Sequence, residues 1–162
     1  MRLGGLRRLQ GFTIVELLVT LVIVGILASS VIPLAEVAVQ RGREQELRES
    51  LRTMRKAIDA YKQAVDDGRI ERKADEAGYP HSLDELVKGV PDAKNPKNGT
   101  LRFLRQIPRD PMKDDSGAGN AKAWGLRCYD SSHEEPKAGK DVFDVYSLAA
   151  GDGLNGVPYK DW

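Results

Sequence analysis

The stretch Gly11-Phe12-Thr13-Ile14-Val15-Glu16, continued as LLVTLVIVGILASSVIPLA to Ala35, decides how this chain is organised. The 19 residues between Glu16 and Glu36 carry no charge. As a helix, Phe12 to Leu34 would measure about 34 Å, enough to cross a hydrocarbon core. Arg2, Arg7 and Arg8 precede it and no acid does. That bias keeps the N-terminus in the cytoplasm and sends the rest across. Glu16 resists a plain anchor reading. A carboxylate at the centre of a membrane helix costs roughly 2.5–3.5 kcal/mol on insertion scales. Near the end it costs less, but it still calls for a partner. Pro33 removes a backbone hydrogen bond and predicts a bend or a tolerated kink. Gly25 and Ala28-Ser29-Ser30 are small enough for close helix approach.

Two simpler readings compete. A secretory signal peptide expects a small-residue cleavage site after the apolar core, and Ala28-Ser29-Ser30 is the candidate. A signal anchor expects none. Neither accounts for Glu16. The short basic leader, Gly11-Phe12, the acid at Glu16 and the uncharged run together resemble the type IV prepilin family, which includes the pseudopilins of type II secretion. The resemblance implies peptidase cleavage between Gly11 and Phe12, N-methylation of Phe12, and an assembly role for Glu16 facing the Phe12 amine of a neighbouring subunit. Elementary electrostatics agrees. Cleavage leaves a cationic amine at the edge of an apolar helix, one turn from a fixed anion. Each group is poorly solvated alone, and an intermolecular pair sets axial register. The expected organisation is a leader over 1–11, a transmembrane and assembly helix over 12–35, and a head over 36–162 that includes the polar half of the helix.

Past Glu36 the helix should continue. Leu47, Leu51, Met54, Ile58, Tyr61 and Val65 follow at intervals of 4, 3, 4, 3 and 4, one stripe on a helix. Such a stripe reads as a core face. Arg48, Arg52, Arg55, Asp59 and Lys62 are expected in solvent on the other side. Asp67-Gly68 is a stop signal. Ser82 and Glu85 have capping-box spacing, predicting a short helix through Val87. Residues 89–100 read as a loop, and Leu101 to Leu104 as one further turn. Ala123 to Tyr129 and Val142 to Ser147 read as strands around a polar turn. The fold class is α+β: a long N-terminal α-helix packed on a small antiparallel β-sheet, with extensive loops.

Within the prepilins the order of elements resembles the major pseudopilins of type II secretion. The matching strings are Ala60-Tyr61-Lys62, Gly78-Tyr79-Pro80, Ile107-Pro108-Arg109-Asp110-Pro111 and Asp144-Val145-Tyr146-Ser147-Leu148. Pilins commonly close a C-terminal loop with a disulfide, whereas Cys128 is the single cysteine here. The resemblance further implies calcium bound by the loop after the last strand, to which Ser147, Asp152, Asn155 and Asp161 could contribute oxygens. Asp-Gly and Asn-Gly also form turns without any metal.

The remaining composition excludes several classes. The chain has 162 residues, 25 basic and 24 acidic, with a mean hydropathy of −0.43. Beyond the leader, bases and acids interleave, so no nucleic-acid surface is expected. One cysteine permits no internal disulfide and no Cys-based zinc site, and its strand-like surroundings suggest a small packing residue. His81 and His133 lie outside any ligand-spaced motif, and no P-loop, Rossmann or Gly-x-Ser-x-Gly string occurs. An enzyme is not expected. The resemblance implies a structural subunit of a pseudopilus, anchored once in the bacterial inner membrane with its head in the periplasm. Its partners would be copies of itself, other pseudopilins, the prepilin peptidase and an inner-membrane assembly platform. The alternative is a type IV pilin, major or minor, serving adhesion, motility or DNA uptake.

Overall fold

The computed structural model describes residues 11–73, 75–95, 99–113 and 119–162. All but Gly11 of the expected leader over 1–11, Arg2, Arg7 and Arg8 included, lies outside them. The chain divides into a unit ending at Val39 and a unit spanning Gln40–Trp162.

Helix α1 runs from Ile14 to Asp66, 53 residues, and passes through Pro33. Thr13 caps its start, its hydroxyl accepting the Glu16 N–H at 3.2 Å. In the first unit the apolar part of α1 is long and apolar enough to cross a membrane, and none of that window is buried. Phe12, at 83% exposure, and the leucines, isoleucines and valines up to Leu27 face outward. The two hydroxyls described inside this run are satisfied locally, Thr20 Oγ1 donating to Leu17 O at 2.9 Å and Ser29 Oγ to Ile26 O at 2.8 Å. Such back-bonding satisfies these two hydroxyl hydrogens in a hydrocarbon surrounding.

In the second unit the expected stripe is the core. Leu47, Leu51, Met54, Ile58, Tyr61 and Val65 are all buried, and Ala57 and Ala64 widen the face. The helix stops where Asp67-Gly68 says it should. Gly68 adopts φ +67°, its N–H donates to Val65 O at 2.9 Å, and the Arg69 N–H donates to Ala64 O at 2.8 Å. This is a Schellman ending, which needs a left-handed residue at the glycine position.

Helix α2, Leu83–Lys88, packs Leu83 and Leu86 into the same core. The capping box does not form. Ser82 sits at the N-cap without a side-chain bond, and Glu85 Oε2 accepts the His81 N–H at 3.0 Å instead. The loop reading of 89–100 also needs correction. Strands β1, Val90–Pro91, and β2, Thr100–Leu101, pair antiparallel. Gly89 permits this approach: a Cβ there would lie 2.6 Å from Thr100 Cγ2 and 2.8 Å from Leu101 O. Leu101 to Leu104 form no helical turn. Leu86 O accepts both the Phe103 and Leu104 N–H groups at 2.9 Å, and that strap ties the segment to α2.

Strands β3, Trp124–Arg127, and β4, Asp144–Ser147, form the second antiparallel pair, with Trp124 opposite Ser147 and Arg127 opposite Asp144. Both are shorter than the sequence suggests. A 3-10 turn over Asn120–Ala123 replaces the start of the first. Gly125 is required by its neighbour, because a Cβ would lie 2.3 Å from the Tyr146 ring. A last 3-10 turn covers Tyr159–Asp161 and buries Tyr159. The architecture is therefore α+β, a long helix with small antiparallel sheets.

Candidate functional site

Three groups of residues can be followed from sequence to structure. The first is the expected assembly pair, Phe12 and Glu16, at the start of α1. Phe12 and Glu16 are both exposed, and the Glu16 carboxylate has no hydrogen bond or ion pair among the described residues. The cap bond from Thr13 fixes the backbone of Glu16 one turn into the helix.

The second group is the pair of strings near Asp110 and Ser147. They meet in the core. Ser147 Oγ donates to Asp110 Oδ2 at 2.5 Å, and both residues are buried. Asp110 Oδ1 accepts the Met112 N–H at 2.9 Å, making an Asx turn at Pro111. Trp124 Nε1–H donates to Pro108 O at 2.9 Å, tying the same string to β3. Neither Asp110 nor its bond was anticipated as a buried pair. The ordered recurrence of the two strings was the available clue. Beside them, Asp144 accepts Arg55 Nε at 2.8 Å and Arg127 at 3.0 Å, while Arg55 also reaches Val145 O and Trp162 O. Arg55 and Lys62 are thus half-buried, and of the expected solvent face only Arg48, Arg52 and Asp59 are exposed.

Burial pushes the Asp144 carboxyl up, but the bonds from Arg55 and Arg127 outweigh it and hold the group below the usual carboxylate range. The folded pKa is the lower one. The stabilisation is therefore complete above the unfolded value of about 3.9 and fades as pH falls through the folded value. A series of melting temperatures against pH should drop below about pH 4, and Asp144→Asn should flatten that drop. An unchanged acid limb in the variant would assign the loss to other carboxylates.

The third group is the expected calcium set. Ser147 is committed to Asp110 and accepts the Ala149 N–H at 3.0 Å. Asn155 Oδ1 accepts the Val157 N–H at 3.1 Å. Asp152 pairs through its backbone with Pro158, and Asp161 lies in the last turn, both exposed. Among the described residues no three acidic, histidine or cysteine side chains gather to hold a metal ion. Two of the four side chains, Ser147 and Asn155, already accept backbone N–H groups, and Ser147 also donates to Asp110.

Both histidines lie at the surface. His81 lies 3.6 Å from Glu76 and 3.5 Å from Glu85 at the surface, and His133 is exposed. Cys128 is a half-buried free thiol packed against Gly139, where a Cβ would meet its Sγ at 2.7 Å.

An uncovered apolar helix led by Phe12 and Glu16, followed by a small α+β head built on that helix's polar half, defines a membrane-anchored, pilin-like subunit. Residues 6–32 match the family described as the prokaryotic N-terminal methylation motif. The type II secretion system core protein G of Klebsiella pneumoniae is 32% identical over 111 residues, 68% of this chain and 74% of the relative. That of Pseudomonas aeruginosa is 29% identical over 155 residues, 93% of this chain and 89% of the relative. That of Vibrio cholerae is 28% identical over 113 residues, 68% of this chain and 70% of the relative. No solved structure matches the chain. The chain belongs to the type II secretion system core protein G family, the major pseudopilins.

Proposed function

We propose that this chain is a structural, non-enzymatic subunit of a type II secretion pseudopilus that helps move folded proteins across the outer membrane. The observation that carries the reading is the co-occurrence of the methylation motif at the head of an unburied apolar helix with similarity to core protein G over 93% of the chain. The subunit waits in the inner membrane with its N-terminus cytoplasmic and its head periplasmic. The prepilin peptidase cuts between Gly11 and Phe12 and methylates the new amine. The assembly platform then lifts the subunit, and Glu16 takes up the Phe12 amine of a neighbour. Copies of the chain, with other pseudopilins, extend the filament. An interface that repeats head to tail without closing gives an open helix.

The test is a strain lacking the gene, complemented with the wild-type gene and scored for secreted proteins and for surface pili. Lost secretion with intact pili, restored by the wild type, is expected. Normal secretion with lost adhesion, motility or DNA uptake would make the protein a type IV pilin instead. Processing has its own measurement. Mass spectrometry of the mature subunit should find N-methylated Phe12 first; an intact Met1 or a cut near Ala28 would overturn the leader assignment.

A further inference from the structure

The loop after β4 is built around an anion supplied by the protein. Its turn closes with Gly153 N–H donating to Val157 O at 2.9 Å and Gly156 N–H donating to Gly153 O at 2.8 Å. Gly153 is buried under Trp162, and a Cβ there would lie 2.3 Å from the indole. Into this turn reaches Glu44 of α1, only 3% exposed. Its Oε1 accepts the Leu154 N–H at 2.8 Å, the Tyr159 hydroxyl at 3.2 Å and Gln40 Nε2 at 3.3 Å. Gln40 Nε2 also donates to the Tyr159 oxygen at 3.1 Å, and Arg48 approaches the other carboxylate oxygen at 3.8 Å. Arg48 in turn stacks over the Trp162 ring at 4.2 Å.

A buried carboxylate is tolerable only when donors surround it, and charge-assisted bonds of this kind are the strong ones. The sign of the arrangement matters. A calcium loop turns carbonyl and carboxylate oxygens inward toward a cation. This loop turns an N–H and an O–H inward toward an anion. A cation among these donors would face their hydrogens. Of the four side chains that the sequence offered to calcium, Ser147 bonds Asp110 and Asn155 bonds Val157, while Asp152 and Asp161 lie exposed outside this turn's inward-facing donors. We infer that Glu44, rather than a bound cation, fastens the C-terminal loop to the head, so that this chain keeps its fold without calcium. The consequence for secretion rests on the pseudopilin reading; the measurement on the purified protein does not.

The full chain in detergent should melt at the same temperature, within about 1 °C, in chelator and in millimolar calcium. A calcium site filled at roughly a hundredfold over its Kd would raise the midpoint by about 10 °C and would overturn the inference. Glu44→Ala should lower the midpoint in both media and speed trypsin cleavage after Lys160, an exposed side chain on a loop whose ordered backbone slows the cut; a variant cut no faster than the wild type would count against Glu44. If that variant fails to fold, Glu44→Gln, which keeps an acceptor oxygen, and Tyr159→Phe, which removes one donor, read the same contact. Both should be cut after Lys160 faster than the wild type in chelator, and wild-type cleavage rates in both would sink the proposal. Failure of the secretion assignment would appear in the complemented strain and leave the calcium result standing.

Discussion

Glu16→Ala should produce a subunit that enters the membrane and accumulates there but adds to filaments at least a hundredfold less well. Insertion should survive because the substitution removes the one charge that opposes it. Assembly should not, because the amine of a neighbouring Phe12 would enter an apolar bundle without its counter-ion. Breaking a buried pair by removing one partner costs about 3–5 kcal/mol, which is more than two decades in an equilibrium constant. Glu16→Gln should fall between, since it keeps an acceptor and loses the charge. The measurement is the ratio of sheared filaments to membrane-bound subunit. Wild-type filament yield from Glu16→Ala would remove the pairing argument while leaving the membrane segment in place.

Trp124→Ala should be among the most damaging substitutions in the head. The ring is 3% exposed at the start of β3, and its N–H holds Pro108 O at 2.9 Å. Removing a buried Trp side chain costs about 3–5 kcal/mol, and the Pro108 carbonyl would lose its donor as well. For a unit of this size the midpoint should fall by roughly 10–20 °C. Trp124→Phe separates the two contributions: it keeps most of the ring, loses the donor, and should cost about 1–3 kcal/mol. Equal losses for both variants would mean that the hydrogen bond, not the packing, dominates at this position.

The helix was legible because its evidence is local. A 4-3 spacing from Leu47 to Val65 can bury one face in only one way, and the left-handed glycine at Gly68 ends it. Extending the same spacing backwards reaches Glu44 and Gln40, which sit on the buried face although both are polar. That continuation was the clue to the fastening site, and polarity concealed it. The β1–β2 pair was hidden for the opposite reason. Gly89, Pro91 and Gly99 read as loop residues, yet Gly89 is what lets the two short strands approach. The capping box failed because Glu85 has a better use, accepting the N–H of His81 one residue earlier.

By itself the sequence determined an apolar segment long enough to cross a membrane, the place of Phe12 and Glu16 at its head, the end of α1 and the buried stripe. Each depends on hydrophobicity and spacing within a few turns of one helix, where neighbours in sequence are neighbours in space. Only the tertiary structure decided the fate of the polar residues. Glu44 meets Leu154 across 110 positions, Ser147 meets Asp110 across 37, and Arg55 meets Asp144 across 89. A carboxylate can serve a metal, a neighbouring subunit or a buried N–H with the same local sequence around it. Which of these it serves is set by the groups that folding brings to its oxygens.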